Sequence, residues 1–176
     1  MRDYWVFGYG SLIWDPGFEP AEGRLGTVRG YHRSFCMRSI HHRGSVEEPG
    51  LVLALDADAG AECRGVAFRS RPDEAEAVRE MIRERELISS AYVETVVPVE
   101  TDGGTIEALA YVIDRNHGQY CAGLSLEEQA RIIAEAHGGR GSNDAYLHNT
   151  VAALEAHDIR DPELEQLSDM VRALKA

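Results

Sequence analysis

A chain of 176 residues with 18 basic and 30 acidic side chains carries a formal net charge of −12. That length is enough to bury a substantial core without disulfide staples, and residues 1–176 are expected to form a single domain. The charge opposes binding to nucleic acid or anionic lipid, both of which depend on neutralising phosphate with Lys and Arg, so the expected partner is a small molecule or a protein, with neither nucleic acid nor a membrane.

At the N-terminus the apolar strand Trp5-Val6-Phe7 runs into Gly8-Tyr9-Gly10-Ser11-Leu12. Glycine allows the backbone to turn sharply and approach a ligand, and successive N–H groups in such a turn form a nest for a carboxylate, a phosphate or a transient oxyanion. A tight hairpin turn is the alternative reading. Val28 to Phe35 is the next expected strand. Leu51 to Leu55, the Asp56–Gly60 turn and Cys63 to Phe68 together read as a hairpin. Pro72 suits a first helical position, and Val78, Met81, Ile82 and Arg85 follow at helical spacing, predicting a helix to about Leu87. Strands resume at Tyr92 to Val99 and Ile106 to Ile113, split by Thr101-Asp102-Gly103-Gly104.

The last third reads as helical. Ser125 and Glu128 make a capping box for a helix reaching His137, which Gly138-Gly139-Arg140-Gly141 stops. A second helix starts near Ser142 or Asn143. Asp161-Pro162 opens a third with an apolar stripe of Leu164, Leu167, Met170, Val171 and Leu174. Strands first, one helix among them and helices last predict an α+β fold: a mixed, curved β-sheet or small barrel with packed helices and a helical C-terminal third.

Few residues suggest chemistry. Cys36, Cys63 and Cys121 are odd in number and scattered, which fits neither a disulfide framework nor a zinc site and points to a reducing, cytoplasmic setting. No run is apolar enough to span a bilayer, and no secretory signal opens the sequence. His41 and His42 are adjacent, without the i, i+4 spacing or accompanying ligands of a metal site, so no metal is expected. Lys175 is the only lysine, which leaves recognition of a substrate carboxylate to arginine. On the middle helix, Glu80 and Glu84 point away from Ile82, whereas Glu86 lies about 40° from it, on the apolar side. An inward carboxylate loses solvation, which raises its pKa and suits it to act as a base. The alternative is a structural ion pair with Arg43 or Arg85.

In this order and at these spacings, the segments Val6–Trp14, His42-Arg43-Gly44 with Pro49-Gly50, Arg85-Glu86, and Gly138, Gly141 and Asn143 before Tyr146-Leu147 resemble the ChaC-type γ-glutamylcyclotransferases. The resemblance implies a cofactor-free lyase in which the α-amino group of a γ-glutamyl unit attacks its own γ-carbonyl, releasing 5-oxoproline and, from glutathione, Cys-Gly. It implies that Val6, Phe7, Gly8, Tyr9, Gly10, Ser11 and Leu12 cradle the γ-glutamyl moiety, that Glu86 is the base and that Tyr146 lines the pocket. Arg43, or Arg38, is then the candidate for the glycyl carboxylate. Other γ-glutamyl donors, or a regulator that keeps the ligand site without turnover, are the alternative functions. One departure stands out: where the family carries glycine before an aromatic residue, this chain has Leu87-Ile88-Ser89-Ser90-Ala91-Tyr92, which predicts a stiffer loop.

Overall fold

The computed structural model describes residues 4–88 and 90–176. They divide into two compact units, Met1–Ser34 with Ala54–Asp114, and Phe35–Leu53 with Arg115–Ala176. Two long strands, β2 (Glu22–Ser39) and β3 (Gly50–Arg69), contribute residues to both.

The first unit is built on a closed barrel in the order β1-β3-β2-β4-β5, with a further β3–β5 pairing. Strand β1 (Trp5–Gly8) runs antiparallel to β3, from Trp5↔Arg69 to Gly8↔Val66, and parallel to β5 at Val6↔Leu109. Strands β4 (Tyr92–Thr101) and β5 (Gly104–Ile113) pair along their whole length around the expected Asp-Gly turn. Val6, Phe7, Leu55, Val99, Ala110 and Tyr111 on these strands are each at most 1% exposed. An α+β barrel of this kind is the expected fold class.

The hairpin expected at Asp56–Gly60 does not form. Residues 50–69 are one strand, and its side chains pair with those of β2 in descending order, Glu22 with Arg69, Arg29 with Glu62 and His32 with Asp58. The turn signal loses to a strand partner that spans it. Gly30 and Gly60 instead take positive φ values of 85° and 91° within the two strands, conformations that cost an L-residue and let a paired ribbon bend.

Helix α2 (Ala75–Glu86) begins three residues later than the Pro72 signal suggests, because residues 72–74 form a turn in which the Glu74 N–H donates to the Arg71 carbonyl. Val78 and Ile82 are its buried face. On its flank Arg83 donates to both oxygens of Glu94 (2.8 and 2.9 Å) and Arg79 donates to one (3.3 Å).

The second unit is mainly helical. Helix α3 (Leu126–Glu135) has the capping box at Ser125 and Glu128. It stops before His137 because two-residue strands, β6 (His137–Gly138) and β7 (Gly141–Ser142), pair there. Helices α4 (Asn143–Ala156) and α5 (Pro162–Lys175) pack with α3. Asp161 caps α5 as expected; Leu164, Leu167 and Val171 of its stripe are buried, whereas Met170 is half-buried and Leu174 is 55% exposed. Among the described residues no helix is long and apolar enough to cross a membrane.

Candidate active site

The loop after β1 is a strand-to-helix passage, not a hairpin turn. Its backbone enters α1 (Ser11–Trp14), where the Ile13 N–H donates to the Gly10 carbonyl at 3.0 Å and the Asp15 N–H to the Ser11 carbonyl at 2.7 Å. The N–H groups at the start of such a helix have no intrahelical acceptor. Val6, Phe7, Tyr9 and Leu12 place their side chains in the core, so this segment offers a ligand its backbone and the half-buried Ser11 hydroxyl. The Tyr9 hydroxyl donates to the Tyr111 carbonyl at 2.8 Å. Arg33 donates to the Tyr9 carbonyl at 2.7 Å and to the Arg64 carbonyl at 3.0 Å, tying the loop to β3.

Glu86 ends α2 with a side chain 14% exposed, on the inward side that helical phase predicts. The ion pair also exists: Arg85 Nε lies 3.6 Å from Glu86 Oε1. The same guanidinium donates through Nη2 to Ser11 Oγ at 2.9 Å and through Nη1 to the Asp15 carbonyl, with the Asp15 carboxylate at 3.9 Å. Loop and carboxylate thus share one neighbour. The sequence places Arg85 at helical spacing with Ile82 and beside Glu86, but neither position carries a sign of its reach to Ser11.

Arg43 and Tyr146 belong to the second unit. Arg43 is 7% exposed; its Nη1 donates to the Ser142 carbonyl at 3.1 Å, and its guanidinium lies 5.5 Å from the centre of the Tyr146 ring. Tyr146 Oη accepts from the Leu53 N–H at 3.1 Å, and its ring meets Phe35 edge-on at 6.0 Å. Gly138 lies against the backbone of residues 42–44, where a Cβ would come within 2.5 Å of the Arg43 and Gly44 nitrogens. Arg38 is paired through its backbone to Gln119, its N–H donating at 2.7 Å. His41 and His42 join no metal-binding cluster among the described residues.

The ChaC-like protein model matches residues 4–174. A glutathione-specific γ-glutamylcyclotransferase of Escherichia coli (strain K12) is 35% identical over 98% of this chain and 74% of its own length. One of Schizosaccharomyces pombe is 36% identical over 92% of this chain and 90% of its own. A yeast γ-glutamylcyclotransferase specific to glutathione has the same fold, with a TM-score of 0.89 and 24% identity over 98% of this chain and 97% of that one. With a family match from residue 4 to residue 174 and relatives more than one-third identical along most of both chains, this chain belongs to the ChaC-like protein family.

Proposed function

We propose that this chain is a γ-glutamylcyclotransferase acting on glutathione, with Glu86 as its general base. The likeness, along nearly the whole chain, to proteins named for that activity carries the reading. In support of the residue assignment, Glu86 and the loop after β1 converge on Arg85.

The reaction is a rearrangement of one substrate into two products, so its atoms balance without water or a cofactor. Glu86 takes a proton from the γ-glutamyl ammonium, and the freed amine attacks the γ-carbonyl carbon of the same molecule. The tetrahedral oxyanion that forms is met by N–H groups of the Gly8–Leu12 segment. Collapse breaks the amide C–N bond as the proton held by Glu86 passes to the departing nitrogen, and Glu86 then relays the second proton that the ring nitrogen sheds, so that 5-oxoproline keeps one N–H and Cys-Gly leaves as an ammonium. Because nucleophile and electrophile are already joined, holding the chain in a ring-closing conformation supplies much of the acceleration. Val6 to Leu12 are assigned to that cradle; Tyr146 is assigned to substrate contact and Arg43 to the glycyl carboxylate by the family resemblance alone.

We extend the reading to a single domain over residues 1–176 that works in the cytoplasm on a small molecule, without nucleic acid or membrane. The family match spans both units, and the net charge of −12 disfavours polyanionic partners.

The test is to incubate the purified protein and Glu86→Gln with glutathione and follow 5-oxoproline and Cys-Gly. Equal release of both by the wild type is expected, with turnover lowered by about 10²-fold or more in the variant while ligand binding persists. Near-wild-type turnover in Glu86→Gln removes Glu86 as the base. No product from the wild type removes the reaction.

A further inference from the structure

Residues i and i+1 of a helix do not face each other, yet Arg85 reaches back to within 3.6 Å of Glu86 at the end of α2. The approach is set by a third party. Its two Nη atoms are drawn to the segment after β1, one to the Asp15 carbonyl and one to Ser11 Oγ at 2.9 Å, which leaves the Nε edge turned to Glu86. The Arg85 side chain is only 10% exposed, so these contacts are shielded from water, where a charge-assisted hydrogen bond is stronger. The loop also touches the same face of α2 one turn earlier, since a Cβ on Gly17 would lie 3.1 Å from Met81 Cε and 3.9 Å from Arg85 Nη1.

We propose that Arg85 is a positioning residue for the reaction: one guanidinium holds the oxyanion-facing loop through Ser11 and Asp15 and orients the Glu86 carboxylate. This rests on the reading of Glu86 as the base. Its three edges are occupied by groups of the protein, so Arg85 sets the distance between loop and base instead of binding a substrate carboxylate. A planar fork is needed for this. Lysine is a point charge on a flexible stem and does not span Ser11, Asp15 and Glu86 together.

The experiment compares wild type, Arg85→Lys, Arg85→Ala and Glu86→Gln with glutathione, measuring kcat, KM and the melting midpoint of each. A misplacement on the ångström scale costs about 10²-fold in rate, so Arg85→Ala is expected to lose about that much in kcat, with a smaller change in KM. Arg85→Lys, which keeps charge and stem and so protects the fold, is expected to lose at least about tenfold in kcat with a near-wild-type melt. Free guanidinium, added well below denaturing concentration, is expected to restore part of the Arg85→Ala turnover, which a purely structural lesion does not allow. Wild-type kcat in Arg85→Lys overturns the proposal, as does a loss in both variants matched by loss of folded protein. If Glu86→Gln itself keeps wild-type turnover, the reading of the base has failed and not the role of Arg85 alone.

Discussion

Asn143 satisfies both backbone groups of Leu51: its Oδ1 accepts the N–H and its Nδ2 donates to the carbonyl, each at 2.8 Å. The Asn143 side chain therefore acts as a one-residue strand partner at the start of β3, and it is fully buried. Removing it leaves two main-chain groups without partners in a site closed to water. Each such group costs about 1–3 kcal/mol, so Asn143→Ala is expected to lower the unfolding free energy by about 2–5 kcal/mol in urea titrations. A loss under about 0.5 kcal/mol would mean that the pocket admits water and the pairing contributes little.

Glu94 gives a pH-dependent counterpart. The Arg83 hydrogen bond, more than any other influence, holds its carboxyl below the ordinary carboxylate value of 4.5, with Arg79 and the Tyr111 hydroxyl also donating to it. A depressed acid stabilises the fold in its ionised form. That stability is present above the unfolded-state value and is lost as the pH falls through the lower folded-state value. Glu94→Gln is therefore expected to be less stable than wild type by about 1–2 kcal/mol at neutral pH, the scale of a partly exposed charge-assisted network. The difference should close as both are unfolded below about pH 4.5. A gap that stays constant down to pH 3, about the lower end of carboxylate titration, would assign the loss to packing and not to charge.

Much of this architecture is legible because local chemistry and tertiary pairing agree. The Ser125 capping box, Asp161-Pro162 and the Gly103-Gly104 turn all sit where their side chains or φ preferences require. Asp56–Gly60 misleads because a turn signal is local, whereas the strand that overrides it, β2, is a partner distant in sequence. The site divides in the same way. Phase on α2 places Glu86 inward without any partner being known, but the reach of Arg85 to Ser11 crosses 74 positions in the chain. The bidentate use of Asn143 on Leu51 crosses 92, and no periodicity carries such contacts.

The segment after Glu86 carries the last prediction. Ser90 takes φ of 57°, the left-handed conformation, and its N–H donates to the Leu87 carbonyl at 3.2 Å. Ser89 beside it lies outside the described residues. An L-residue in this conformation costs about 1–2 kcal/mol relative to glycine. Glycine in turn loses about 0.5–1 kcal/mol more backbone entropy on folding. The serine thus keeps the turn at the expense of stability. Ser90→Gly is expected to raise the unfolding free energy by about 0.5–1 kcal/mol. Ser90→Val, whose branched Cβ tolerates positive φ least, is expected to lower it. The two variants measured together by urea unfolding separate this cause from any change in surface polarity, since Ser90 is exposed. If Ser90→Gly is no more stable than wild type, the left-handed turn is not the conformation that limits this segment.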